Sequence, residues 1–544
     1  MRIDLVLRHA DLLDPVEGRR DDVDILIWRG RILDVLPGGT GPSADVEVDL
    51  RGRCVTAGFI DAHNHMAWYG LSLAEIDLSG ARSVSEVAAL VSGRASQLDA
   101  EQVVIGAGYD HNDIGGHPDR HILEEAVPGR QVWLKHRSGH MGVASSALLQ
   151  RIGVFDGVAA PEGGRIVLGE DGTPTGLLQE QAQNLVSAHL TPVPLAVLSD
   201  ALVAAGERYA AEGLVHVTEC GMGAGWLGQS PVELAAYQRA GRALRVRCQL
   251  MPAVHALHSL SADPSDDMTL GLDLGIATGF GDDRLRLGAV KIWLDGSLIG
   301  RTAAMTQDYC GCSDNRGFLQ DDPEVMRTQI SAAHAAGWNV AAHAIGDAAM
   351  DFALEVFEQA QAAHPRPQAR HRIEHAALTS PEQVARMAAL GLSAVPQMRF
   401  LYEMGDAFLE TLGEHRMPWL YRHRSLLDAG CRVVGSSDRP VSNGAPLLGM
   451  ASMVERRTAS GRVLSPDERV DAMTALRAYT VHAAWMAGEE AELGRVATGL
   501  RADLVILDRD ISRADGELLA HTKVLATLSD GLATYDSCLG LPQW

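Results

Sequence analysis

Short apolar runs alternate with longer amphipathic stretches through the middle of the chain, a pattern that predicts strands followed by helices. Candidate strands fall at 55–61, 214–219, 244–250, 288–294, 338–342, 371–374, 392–397 and 432–436. Helical periodicity occupies 324–336, 347–363, 381–390 and 424–429. Strand–helix alternation is the signature of a parallel α/β architecture. Eight such strands favour a closed TIM-type (β/α)8 barrel, whose active-site groups sit at the C-terminal strand ends.

The two ends of the chain read differently. Segments 3–8, 23–28 and 46–50 alternate or run apolar around a Pro/Gly-rich loop at 37–42, and 502–507 and 523–528 behave alike. Neither end has enough strands for a stable sheet by itself. The expectation is therefore a small β-sandwich domain built from 1–56 plus 487–544, with the barrel over 57–486. Between the first and second barrel strands lies a large insertion, 66–200, far longer than a crossover requires. Its place beside the first strand suggests an element that covers substrate.

Composition narrows the picture. At 544 residues and 46% hydrophobic content the chain can bury a large core in more than one domain. A formal charge of −23 argues against nucleic-acid or anionic-membrane partners and leaves a small-molecule substrate. No run approaches the roughly 20 apolar residues of a membrane helix. The start, Met1-Arg2-Ile3-Asp4-Leu5, has no signal-type apolar block, so a cytoplasmic protein is expected. Seven thinly spread cysteines suit reduced thiols, and Cys310-Gly311-Cys312 lacks the second pair a tetrahedral site needs.

The candidate chemistry falls on the strands. Gly58-Phe59-Ile60-Asp61-Ala62-His63-Asn64-His65 ends in His-x-His, and residues i and i+2 of a strand face the same side, so both imidazoles can reach one point. Lys291 lies in the fourth strand, His343 follows the fifth, His375 closes the sixth and Asp438 ends the eighth. With 21 histidines no single one is informative, but their coincidence with strand ends is. Blander roles compete: His343 as a hydrogen-bonded core residue, Asp438 as a helix cap, Lys291 in a salt bridge to Asp295 or Glu219. An interior strand lysine is costly to bury charged, and the neutral amine is a nucleophile that carbon dioxide converts into a carbamate.

These stretches resemble the amidohydrolase superfamily, in particular its YtcJ-like branch, which includes N-substituted formamide deformylases. The likeness is carried by GFIDAHNHM (58–66), VKIWLDGSLIGRTAAM (290–305), AHAIGDAAMD (342–351), RHRIEHAAL (370–378), RSLLDAG (424–430) and GSSDRPV (435–441). Within the insertion, residues 106–112, 138–140 and 172–176 also match. The resemblance implies a distorted barrel with an accessory β domain, and one or two divalent ions, usually zinc. It assigns His63, His65 and Asp438 to one metal, His343 and His375 to a more exposed one, and carboxylated Lys291 to the bridge. A homodimer is common among similar proteins.

The implied reaction is hydrolysis of an amide C–N bond. Metal coordination lowers the pKa of water from about 15.7 to roughly 7, and Asp438 shuttles the proton to the leaving nitrogen. Cyclic-amide or carbamate hydrolysis is compatible. Deamination is disfavoured, because similar deaminases place a Glu three residues after the strand-five His, where this chain has Gly346. A non-catalytic scaffold would show broken ligand positions, and all six are intact. Candidate substrate contacts are Tyr109, Asp110, His111, Asn112 and His140 from the insertion, the apolar Trp68, Trp293 and Met398, and Arg301 for a carboxylate.

Overall fold

Gly58 separates two strands that the hydrophobic pattern merges. Cys54–Ala57 pairs antiparallel with Leu504–Leu507, whereas Phe59–Asn64 pairs parallel with Leu214–Met222. The chain crosses from one sheet to the next at this glycine. A Cβ there would stand 2.4 Å from Val215 Cγ1, so only glycine permits the approach. The computed structural model describes residues 3–137, 141–161, 164–225 and 227–544. They form two compact units, Met1–Tyr69 with Leu202–Trp544, and Gly70–Ala201.

In the first unit both chain ends build one eight-stranded sheet. Ile3–Asp14, Gly18–Trp28, Arg31–Pro37, Ala44–Asp49 and Cys54–Ala57 come from the N-terminal side, and Leu504–Leu507, Val524–Ser529 and Leu532–Asp536 from the C-terminal side. Leu5, Leu7, Ile25, Val55, Leu504 and Ile506 are buried in its core. Each such side chain contributes about 1.5–3 kcal/mol of burial.

The rest of this unit is a run of parallel pairings. Phe59–Asn64 pairs with Leu214–Met222, which pairs with Arg247–Pro252, which pairs with Leu285–Leu287. Val290–Trp293, Val340–Ala344, Arg372–His375 and Ser393–Val395 follow in order. Single bridges link Ala253 to Lys291, Ala394 to Val433 and Arg439 to Asn64, which returns the circuit to its start. Helices occupy Pro323–Ala335, Asp347–Ala363, Pro381–Ala389 and His423–Asp428. The third opens on a reciprocal cap between Ser380 and Gln383, with Pro381 in its first turn.

The expected strand at 432–436 is the weakest member: Val433 forms its one bridge, and Arg439 forms another just beyond it. Its backbone is engaged otherwise. Ser437 N–H donates to Asp61 Oδ1 at 3.0 Å, Asp438 N–H to His63 O at 2.8 Å, and Asp438 adopts φ +58°, which ends an extended run.

Gly70–Ala201 has its own six-stranded sheet, in the order Gly164–Leu168, Pro174–Glu180, Met141–Ala144, Val132–His136, Val104–Tyr109, Ile76–Asp77. Val87, Val104, Tyr109 and Leu134 lie in its core. The segment expected as a cover is thus an α/β unit with a core of its own. Among the described residues no single helix is long and apolar enough to cross a membrane.

Arg247 ties a strand of the circuit to the terminal sheet. It is 1% exposed and reaches Asp503 at 2.9 Å, Asp530 at 2.8 Å and Asp283 at 3.0 Å. Removing one partner of a buried pair strands the other. Arg247→Ala is therefore expected to cost about 3–5 kcal/mol in denaturant unfolding, and a loss within about 0.5 kcal/mol contradicts this role. A second expectation concerns acid. Burial, then nearby arginines, pushes His216 and His423 down to about 3. The folded value lies below the unfolded one near 6.5, so this stability is full above about pH 6.5 and is lost as the pH falls toward 3. Thermal melts are expected to drop between about pH 7 and about pH 5, with a shallower drop in His423→Leu.

Candidate metal centre

The ends of the parallel strands converge on a cavity of about 590 Å3, and His63, His65, Lys291, His343, His375 and Asp438 all line it. Strand register explains the convergence. Trp293 stands opposite His343 and Ala344 opposite His375, so neighbouring strands present these side chains at similar heights. Ring centroids lie 5.4 Å apart for His63 and His65, 5.1 Å for His63 and His375, and 4.4 Å for His343 and His375. His375 and Asp438 hold φ of +67° and +58°, a left-handed conformation that costs a non-glycine residue of order 1–3 kcal/mol. Strain of that size at two of the six positions persists only because the surrounding contacts enforce it.

Hydrogen-bond partners orient His63, His343 and His375. Glu374 Oε2 accepts from His63 Nδ1 at 2.5 Å, which turns His63 Nε2 toward Asp438 Oδ1, 3.3 Å away. His65 Nε2 lies 2.8 Å from the same oxygen, with Glu219 on the ring's far side at 3.8 Å. Gln397 Oε1 accepts from His375 Nδ1 at 2.5 Å and leaves Nε2 for another partner. Gly296 O accepts from His343 Nε2 at 3.0 Å and leaves Nδ1. Such outer partners select the tautomer of a ligating histidine.

The electrostatics divide the site. Burial opposes protonation of His65, but the carboxylates of Asp438 and Glu219 outweigh it and push the ring up to about 9. Burial likewise opposes ionisation of Glu374 and Asp438. Arg372 outweighs it for the first and His63 for the second, so both carboxyls lie well below the usual range. On the other side, burial and then Lys291 push His343 down to about 3, and burial and then His343 lower His375. One side is rich in negative charge that attracts a cation. The other offers neutral imidazoles, the form that ligates metal.

The donor set fits a divalent ion. His63, His65 and Asp438 are buried with donor atoms within 4.8 Å of one another. The His63 Nε2–Asp438 Oδ1 separation, 3.3 Å, is close to the edge of about 3.4 Å that a tetrahedron of about 2.1 Å metal–ligand bonds requires, while His65 Nε2 stands at hydrogen-bond distance, 2.8 Å, from the same oxygen. Lys291 is 1% exposed, and its Nζ lies 5.5 Å from the centroid of the Trp293 ring. Among the described residues it makes no salt bridge, so the expected alternatives with Asp295 or Glu219 are not formed. Asp295 instead accepts from the backbone N–H groups of Ile345, Gly346 and Ala304. Gly346 has no room for the deaminase-type glutamate, because a Cβ there would stand 1.9 Å from Ala304 O.

Around this floor the walls are mainly apolar, with Ser297, Thr302 and Gln320 among them. Trp68 and Trp293 line the cavity as expected, while Met398 is fully buried and does not. The next helix, Arg399–Leu412, presents Phe400, Met404 and Phe408 instead. Their i, i+4, i+8 spacing was the available signal. Arg301 is not a lining residue either: it donates to Cys312 Sγ. Tyr109 is a core side chain of the Gly70–Ala201 unit, with its hydroxyl 3.1 Å from His117 Nδ1, so burial corrects its expected role as a mouth residue. Asp110 and Asn112 hydrogen-bond each other in that unit, and His140 lies outside the described residues. Leu298, Ile299 and Ile345 complete the walls, and Lys291 is the only lysine or arginine among the described lining residues. Glu374, the carboxylate on which His63 depends, escaped sequence reasoning. It sits one residue before His375 and gives no pattern of its own.

Known proteins resemble this chain over most of its length. Residues 46–535 match the model of the Amidohydrolase family. N-substituted formamide deformylase of Arthrobacter pascens is 31% identical over 535 residues, 94% of each chain. YtcJ of Bacillus subtilis (strain 168) is 29% identical over 501 residues, 90% of each chain. Among solved structures, an uncharacterized metal-dependent hydrolase from Pyrococcus furiosus superposes with a TM-score of 0.77 at 25% identity, covering 94% of this chain and 100% of that one.

Replacing the His63 partner tests the centre without touching any of the six residues that line the cavity as ligand-type side chains. Glu374→Gln leaves the buried Arg372 without its countercharge and weakens the hold on His63. Affinity for a divalent cation is expected to fall about 10–100-fold in a chelator competition, and an unchanged affinity contradicts the orienting role.

Proposed function

The chain belongs to the amidohydrolase family, and on that premise we propose that it is a metal-dependent hydrolase of the C–N bond in uncharged amides that carry an apolar substituent on nitrogen. One observation carries the reading: a single cavity with six ligand-type side chains on its floor and aromatic and aliphatic walls. In this reading the circuit of parallel strands is a distorted (β/α)8 barrel, and the sheet of both termini is an accessory sandwich. His63, His65 and Asp438 would hold one cation, and His343 and His375 a second, with Lys291 as a carbamate between them. When bound, a divalent ion, zinc by its donor set, lowers the pKa of water and polarises a carbonyl.

The chain's own residues supply the remaining steps. Asp438 faces the cavity as a carboxylate, accepts the proton of the attacking water and returns it to the departing nitrogen, so an acid and an amine leave. Phe400, Met404 and Phe408 exclude water around the amine substituent and orient it. A substrate carboxylate would find no arginine on the described walls. This favours N-substituted formamides and N-acyl amines over N-acyl amino acids and dipeptides. The formamide deformylase from Arthrobacter pascens supports the same class.

A hydrolysis screen on metal-loaded protein, across N-formyl amines, N-acyl amines, cyclic imides, carbamates and carboxylate-bearing amides, tests the class. Turnover is expected with aromatic N-substituted formamides or acyl amines. Protein that retains no stoichiometric metal, or that prefers anionic substrates, refutes the reading. On the substrate found, Asp438→Asn is expected to lower kcat by about 10²–10⁴-fold while KM stays within about threefold.

A further inference from the structure

The Gly70–Ala201 unit carries a second cluster of ligand-type side chains that the proposed hydrolysis does not use. Val104–Tyr109 and Val132–His136 are adjacent parallel strands, with Tyr109 opposite His136. Asp110 and His111 follow the first strand directly, so strand pairing brings Asp110, His111 and His136 to the same sheet end. Ligand sites of α/β sheets lie at such C-terminal strand ends.

The donor atoms form a near-regular triangle. His111 Nδ1 is 3.1 Å from His136 Nε2 and 3.7 Å from Asp110 Oδ1, and His136 Nε2 is 3.8 Å from the same oxygen. The point equidistant from three such corners lies about 2.1 Å from each, the length of a zinc–nitrogen or zinc–oxygen bond. From this geometry we propose that Asp110, His111 and His136 bind a divalent transition-metal ion, with all three donors supplied by the Gly70–Ala201 unit. Two imidazoles and a carboxylate suit zinc first and iron or manganese next.

The surroundings fit the assignment. His117 stacks on His111 at 4.3 Å and is itself fixed by the Tyr109 hydroxyl, which holds the His111 ring in place. Arg137 takes Asp110 Oδ2 at 3.2 Å, while Asn112 donates to Oδ1 alongside the imidazoles. The side chain of His136 is 6% exposed and that of His111 36%, so one side of the triangle faces solvent and leaves room for water or an anionic ligand as the fourth partner. The competing explanation is a hydrogen-bonded histidine pair that binds no metal.

Zinc stoichiometry of the full-length chain separates the two. After Zn²⁺ loading and gel filtration in metal-free buffer, His111→Asn/His136→Gln is expected to hold one equivalent fewer than the unmodified protein, with circular dichroism reporting its fold. The complementary variant His63→Asn/His375→Asn, which disables the cavity centre, is expected to retain one equivalent. It decides the matter if the first variant does not fold. Equal zinc content in the folded cluster variant and the unmodified protein overturns the proposal. So does a complementary variant that holds no zinc. Neither result bears on the hydrolysis reading, which rests on the cavity alone.

Discussion

Carboxylates removed from water must be matched by donors or cations, and this demand shapes the core of the first unit. Asp61, Glu374 and Asp295 are all but fully buried, and each joins distant strand ends in meeting its requirement. Asp61 accepts from His63 N–H, Asn64 Nδ2, Ser437 N–H and the Ser437 hydroxyl, which locks the first strand to the last. Glu374 pairs with Arg372 and His63, and Arg372 also donates to Ala62 O at 2.6 Å, which joins the sixth strand to the first. Asp295 gathers the backbone after the fourth and fifth strands. Replacing any of these with an apolar group leaves a buried donor unpaired, so the network works as a unit.

The positions of the ligand-type residues follow from this network. His63 points Nε2 into the cavity because Glu374 holds Nδ1, and Asp438 stays in its left-handed conformation while its N–H is bound to His63 O. The apolar walls come from other elements, chiefly the helix Arg399–Leu412, and their shape can vary without disturbing the floor.

Much of this was legible in the sequence, and the exceptions share a cause. The His-x-His pair, the interior lysine and the polar residues at strand ends stand out because local periodicity marks strands and strands have a fixed direction. The helices 323–335, 347–363 and 381–389 were equally visible from amphipathic spacing. Tyr109, Met398 and Arg301 were misassigned because being near a motif says nothing about which way a side chain turns. Tyr109 and Met398 are buried, and Arg301 turns to Cys312. Phe400, Met404 and Phe408 had a pattern, but a stripe at helical spacing reads equally as ordinary core.

The amino-acid sequence by itself determined the α/β alternation, the pairing potential of both ends and the placement of polar side chains at strand ends, because these depend on residue chemistry and local period alone. Tertiary structure decided what those residues face. Glu374 became the partner of His63, 311 positions away, and Asp110, His111 and His136 became a triangle, only after strands separated along the chain were brought into register. Register and the orientation of buried polar groups are set by long-range packing and hydrogen-bond satisfaction, which no local pattern encodes.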